Sequence, residues 1–217
     1  MKIKFIDFCS GIGAGRLGLE QAGMTCIAHS EINADADFTY NRFFNDKNNL
    51  GDLTQIVPEQ LPDFDLMIAG FPCQTFSIVG QRRGFADDRG QIIYFLANIL
   101  RAKKVPYFIL ENVKGLVNHN HGETIRTIIS LLETSGYVVD FRVLNSSDFG
   151  VPQLRERVYF VGIRRDLYYR PFVFPSGIKS NKKISDFLLE DNSNELSISD
   201  ITFQRYLHNK YNKNRVN

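Results

Sequence analysis

Short apolar runs alternate with stretches of helical periodicity along most of this chain, and that order leaves few folds open. "IKFIDF" (3–8), "MTCIAHSE" (24–31), "FDLMIAG" (64–70), "VPYFILEN" (105–112), "YVVDFRVLN" (137–145) and "RVYFVGIRR" (157–165) read as strands. Between them, "RLGLEQAG" (16–23), "NADADFTYNRFF" (33–44), "QIIYFLANILRAKK" (91–104) and "GETIRTIISLLETSG" (122–136) read as helices. Gly23 and Gly136 stand where helix ends need a left-handed residue, and Asn33 stands at an N-cap. Strands that alternate with helices predict an α/β fold with a largely parallel sheet. Such sheets bind ligands at the carboxyl ends of their strands, and every unusual motif in the chain falls at such an end.

Composition narrows the class. At 43% hydrophobic and 23% charged, the 217 residues suit one good core with a small appendage. The net charge of +2 requires any nucleic-acid surface to be local. No apolar run approaches the roughly 18 residues of a membrane helix, and Asp7 and Arg16 interrupt any signal-peptide core. Three cysteines without a C-x-x-C or clustered histidines argue against a disulfide framework and against a metal site. They predict a reducing, cytoplasmic setting. From Pro175 the texture turns polar, with one helical stretch around Ile184 to Leu189, and "ITFQRYLHNKYNKNRVN" ends the chain with four Lys or Arg and no acid. The expected division is a catalytic domain over 1–174 and a polar, basic tail over 175–217.

Two groups of residues carry chemistry. Gly11, Gly13 and Gly15 follow the first strand and precede a helix, which lets a cofactor approach the backbone closely. Glu31 ends the second strand, 20 residues beyond Gly11, where an acid usually bonds ribose hydroxyls. Nicotinamide, flavin and S-adenosylmethionine enzymes share this frame, and a tight turn beside a surface glutamate is the plain alternative. Asp52 is placed to bond an adenine amino group, or is a solvated loop aspartate. At the third strand's end, Pro72 restricts the backbone leading to Cys73. Polar residues follow, so Cys73 reads as a nucleophile, whereas Cys26 in its apolar strand reads as a small hydrophobe. Glu111 ends the next buried strand, either as half of a structural ion pair or as a carboxyl that bonds a heterocycle. Arg155 and Arg157 alternate onto one face of a strand start, placed to orient Glu111 or grip a polar substrate edge.

The ordered set "DFCSGIGAG", "GFPCQTFS", "ENV" and "QLRERVYFVG" resembles the bacterial DNA cytosine-5 methyltransferases of restriction–modification systems, from Phe5 to about Arg165. The resemblance implies a Rossmann-like, S-adenosylmethionine-dependent methyltransferase fold and double-stranded DNA as substrate. It implies that Cys73 adds to carbon 6 of a flipped-out cytosine, while Glu111 bonds ring nitrogen 3 and the exocyclic amine. Arg157, with Arg155 nearby, then holds the carbonyl oxygen and positions Glu111. Gly11, Gly13, Glu31, Asp52 and Pro72 match the family's cofactor pocket, and Ser10, Ile32 and Leu53 accompany them. Cys9 departs from the pattern, since most members carry Phe there, its ring against the adenine. The stretch "SIVGQRRGFADDRG" matches the loop that closes over the flipped base, hinged at Gly80 and Gly84. Ser77, Gln81, Arg82 and Arg89 are its expected DNA contacts.

The family's target-recognition domain and late Gly-Asn segment have no counterpart in the sequence, which implies a second polypeptide as partner, a truncated gene or a trimmed chain. The alternatives are a transfer-RNA cytosine methyltransferase, a catalytically silent partner subunit and, more distantly, a Rossmann oxidoreductase.

Overall fold

A computed structural model describes residues 2–72, 92–178 and 182–188. The chain divides into two compact units, 1–180 and 181–217. In the first, β1 (Lys4–Phe8), α1 (Ala14–Gln21), β2 (Thr25–Ser30), α2 (Ala34–Phe44) and β3 (Leu66–Gly70) come in that order. They are followed by α3 (Ile92–Lys103), β4 (Tyr107–Val113), α4 (Glu123–Thr134), β5 (Tyr137–Asn145) and β6 (Glu156–Arg164). The six strands form one sheet in the order β2-β1-β3-β4-β6-β5. Of the second unit, 182–188 are described: a single 3-10 turn, Ile184–Phe187, where Asp186 Oδ2 accepts from the Lys183 amide (2.9 Å).

Strand and helix positions follow the sequence pattern because the apolar runs have two faces to bury. Ile6, Phe8, Met67, Ala69, Phe108 and Leu110 enter one core with Leu96 and Leu100 of α3 and Ile128 and Leu132 of α4. On the other face Phe5 and Leu66 pack with Leu19 of α1. Asn33 caps α2 as the sequence predicts, its side chain accepting from the Ala36 amide (2.9 Å).

The sheet is parallel from β2 through β4, but β6 runs against both its neighbours. The cause is the connection. Residues 146–155 contain only a 3-10 turn, Ser146–Phe149, and no helix that could carry the chain back for a parallel crossover. Among the described residues no helix is long and apolar enough to cross a membrane.

Gly162 shows how tightly the sheet is filled. A Cβ there would collide with the ring of Phe108, its partner across the β4–β6 ladder. Gly162→Ala forces that buried ring off its rotamer, so it is expected to destabilise the fold by about 1–3 kcal/mol. Urea unfolding of the two chains, compared by midpoint at constant slope, checks this.

Candidate functional site

The parallel register brings the strand ends to one level. Ser30, Phe8, Ala69, Leu110 and Phe160 are successive partners across five strands. One residue further along lie Glu31, Cys9, Gly70 and Glu111, with Tyr159 opposite Glu111. The two groups read from the sequence therefore occupy neighbouring parts of a single sheet edge.

At the β1–β2 part, Cys9, Gly11 and Gly13 all take positive φ (50°, 54° and 91°). Gly13 also lacks room for a side chain, since a Cβ would strike the ring of Phe44. The Ser10 amide donates to Ser30 O (3.1 Å), which ties the turn to β2. Glu31 Oε2 accepts from the Gly11 amide (2.7 Å) and Oε1 from the Asn33 amide (2.8 Å), so the residues 20 apart do meet. Asn49 brackets Glu31 on both sides, its Oδ1 accepting from the Glu31 amide (3.1 Å) and its Nδ2 donating to Glu31 O (3.0 Å). Asp52 is exposed and caps the turn Leu53–Gln55 through Thr54 (2.8 Å). Ile32 is 76% exposed beside Glu31, an open apolar surface for a flat ring. Leu53, the residue after Asp52, packs its side chain into the core.

This end fits an adenosyl cofactor. Ser10 Oγ is buried without a hydrogen-bond partner among the described residues, an unsatisfied group facing no protein partner. The positive-φ turn leaves the backbone open beside the Glu31 carboxylate. Burial, reinforced by the charges of Glu31 and Asp7, pushes the Cys9 thiol up to about 12, which disfavours the thiolate. Cys26 likewise rises to about 11, chiefly by burial.

At the β3–β4–β6 part, Glu111 is half-buried and its Oε1 meets Arg157 Nε at 2.9 Å. Its Oε2 lies 3.5 Å from where a Cβ of Gly70 would stand, so the missing side chain leaves space beside the acid. Arg155 is exposed just ahead of β6, its amide donating to Asn145 Oδ1 (3.0 Å). Tyr159 shares this face, and burial followed by the Glu111 charge raises its phenol. Pro72 is exposed, while Phe71 before it is buried and held: buried Asn112 donates from Nδ2 to Phe71 O (2.9 Å). Cys73, Ser77, Gln81, Arg82 and Arg89, together with the expected closing loop, lie outside the described residues. Among the described residues no group of three His, Cys, Asp or Glu could hold a metal ion.

Asn112, Asn49, Arg16 and Asp7 escaped the sequence reading. Each is a single polar residue with at least one partner distant along the chain. Arg16 of α1 is buried, pairs with Glu20 (2.8 Å) and Asp46, and lies over the rings of Tyr40 and Phe44. Asp7 is 3% exposed with Oδ2 unpartnered. Burial raises its carboxyl to about 8, against the pull of the Arg16 amide and guanidinium and with a further push from Glu31. Between the unfolded value near 4 and that folded value, the native state keeps a proton that the unfolded chain has released. Stability therefore falls as pH rises from about 4 to about 8, by up to about 1.4 kcal/mol per unit from this group. Asp7→Asn is expected to flatten that decline, checked by denaturant midpoints across the window.

Comparison with known proteins agrees with this geometry. Residues 3–217 match the family profile described as C-5 cytosine-specific DNA methylase. The chain is 41% identical to the type II methyltransferase M.BsuFI of Bacillus subtilis over 97% of its own length and 51% of that protein's. It is 43% identical to the type II methyltransferase M.NgoBI of Neisseria gonorrhoeae, over 94% and 64%. The chain thus spans between about half and two thirds of these relatives. A solved structure of a Spodoptera frugiperda DNMT2 mutant superposes with a TM-score of 0.70 at 25% identity, covering 89% of this chain and 61% of that one.

Proposed function

Since the chain belongs to the family of C-5 cytosine-specific DNA methylases, we propose that it is the catalytic part of a DNA cytosine-5 methyltransferase of a bacterial restriction–modification system. The observation that carries this reading is the Glu111–Arg157 pair at 2.9 Å, set beside Gly70 where β3 runs into Phe71 and Pro72. An acid held this way can meet a planar heterocycle edge-on, and the next residue of the chain is the thiol.

Cys73 adds its thiolate to carbon 6 of a cytosine turned out of the duplex, which makes carbon 5 nucleophilic. Glu111 hydrogen-bonds ring nitrogen 3 and the exocyclic amine, drawing electron density away from the ring as the adduct forms. Arg157 fixes the Glu111 carboxyl, and Arg155 is available to the carbonyl oxygen. Asn112 holds the Phe71 carbonyl, so the chain enters the Pro72–Cys73 corner from a fixed point. Gly11, Gly13, Glu31, Ile32 and Asp52, with Ser10 Oγ, would hold S-adenosylmethionine, and Pro72 would close the pocket towards the thiol. Bound there, the cofactor supplies an electrophilic methyl group on a sulfonium. Loss of the carbon 5 proton to a base then lets the Cys73 thiolate leave, which restores the aromatic ring and frees the enzyme. The loop from Ser77 to Arg89 would supply DNA contacts. The expected second polypeptide is not part of this proposal, because both relatives carry their further length on one chain.

Cys73→Ser is expected to abolish methyl transfer while DNA binding survives. Duplex DNA with 5-fluorocytosine at the target should trap a covalent adduct, since fluorine is not lost as a proton is. Peptide mass spectrometry should find that adduct on Cys73; finding it on Cys9 or Cys26 overturns the assignment. If the substrate is instead transfer RNA, labelled methyl will pass to RNA and not to duplex DNA in a parallel assay.

Glu111→Gln keeps shape and loses charge, so turnover should fall by roughly 100-fold or more. Cofactor affinity should hold within a few-fold, because Glu111 stands at the other part of the sheet edge. A calorimetric titration with S-adenosylmethionine separates the two effects.

A further inference from the structure

We propose that Asp7 makes the cofactor end selective for a cationic ligand, favouring the sulfonium donor over its neutral thioether product. The inference rests on the S-adenosylmethionine reading above and concerns a residue that plays no part in the proposed reaction. Asp7 stands two residues ahead of Cys9 at the carboxyl end of β1, directly before the positive-φ turn. It is 3% exposed, and Oδ2 has no hydrogen-bond partner among the described residues. Such a group is costly to bury and calls for a compensating charge.

The surroundings supply little of that charge. From α1, Arg16 acts on Asp7 through its amide and guanidinium, but the guanidinium is already committed to Glu20, Asp46 and the Tyr40 hydroxyl. From β2 come the Cys26 thiol and His29, the register partner of Asp7, whose Nε2 is engaged by Asp37 Oδ1 (2.9 Å), and from α2 comes the Tyr40 phenol. Cys26 and Tyr40 both feel the Asp7 charge as repulsion. Cys9 in the turn feels it too, and Glu31 beyond β2 repels Asp7 directly. Two carboxyls, Asp7 and Glu31, thus share one end of the sheet, and the basic groups described near them, Arg16 and His29, are already engaged by Glu20, Asp46 and Asp37. Burial and Glu31 together hold the Asp7 carboxyl at about 8, so near neutrality it is mostly protonated.

A positive charge entering beside Glu31 changes this balance. It lowers the Asp7 pKa and drives a proton from the carboxyl to the buffer, and the new carboxylate in turn favours the cation. S-Adenosylmethionine carries that charge on sulfur and S-adenosylhomocysteine does not, while the rest of the two molecules is the same. A shift of about one unit would raise the ionised fraction at pH 7 from roughly a tenth to roughly a half. The same shift would favour the donor about 2-fold at pH 7 and approach about 10-fold above pH 9. Product inhibition would weaken correspondingly as pH rises.

The test is calorimetry of the purified chain with each ligand at pH 7, in two buffers of different ionisation enthalpy. At that pH the amino groups of both ligands keep most of their protons. The wild-type chain is expected to release about 0.3–0.4 proton more with S-adenosylmethionine than with S-adenosylhomocysteine. Asp7→Asn, which keeps an acceptor for the Arg16 amide, should erase that excess and remove the rise in donor preference between pH 7 and pH 9. Equal proton release by the two ligands with wild type overturns the inference, and that result needs no variant to fold. An excess that persists in Asp7→Asn also overturns it. Binding of neither ligand removes the cofactor reading and this inference with it.

Discussion

One buried hydrogen bond joins the two strands on which the proposed chemistry depends. Asn112 Nδ2 holds Phe71 O at 2.9 Å, while the register pairs Gly70 with Glu111 one step earlier. The backbone leaving β3 is thereby pinned to β4 just before Pro72, and Glu111 projects from the same stretch of β4. Asn112 also accepts from the Val113 amide (2.8 Å), so both ends of its amide are engaged. A buried carbonyl left without this donor would cost about 1–3 kcal/mol. More to the point for the proposed function, the chain leaving β3 through Phe71 and Pro72 would no longer have a fixed height against the acid.

The cofactor end depends on a different device. The glycine turn is held from outside, by Ser30 O on the Ser10 amide and by Glu31 on the Gly11 amide, with Asn49 holding Glu31 in turn. Beneath it, Arg16 draws α1, α2 and the turn around Asp46 together. Its guanidinium is buried against two carboxylates and two aromatic rings, so its packing matters as much as its charge. Glu31 spends both oxygens on amides within the turn. Each of these oxygens keeps a further lone pair, so a ribose hydroxyl can still donate to Glu31 beside the amide bonds.

Strands and helices were legible in the sequence wherever a run of apolar residues had one possible use. "FDLMIAG" and "VPYFILEN" could only be buried strands, and "YVVDFRVLN" became β5 with its ends unchanged. The direction of β6 was not legible, because an apolar run carries no record of its neighbour; only the short, helix-free connection 146–155 decides it. At the site, Gly11, Glu31, Glu111 and Arg157 could be read from type and spacing, and the fold brings them into two pairs. Asn112, Asn49 and Asp7 could not. Each has a partner distant along the chain, as in Asp7 with the amide of Arg16 or Asn112 with Phe71, and a lone polar residue in an apolar context looks the same whether it clamps or merely fits. Leu53, expected beside the cofactor, also packs its side chain in the core, which its place next to a polar turn did not announce.

The strand order explains why two separately held groups can serve one reaction. The chain leaves β1 towards β2 on one side, then returns to lay β3 against β1 on the other and continues outward through β4. The order reverses between β1 and β3, so the connections that follow these two strands diverge and leave a crevice at their carboxyl ends. The glycine turn after β1 borders one side of it, and the Phe71–Pro72 segment after β3 borders the other. Adjacent strands lie about 4.8 Å apart, so groups on β1 and β4 are separated by about two such steps. Under the proposed function, that distance suits a methyl donor lodged over β1 and β2 and a planar base held by Glu111 and Arg157 over β4 and β6, meeting above β3.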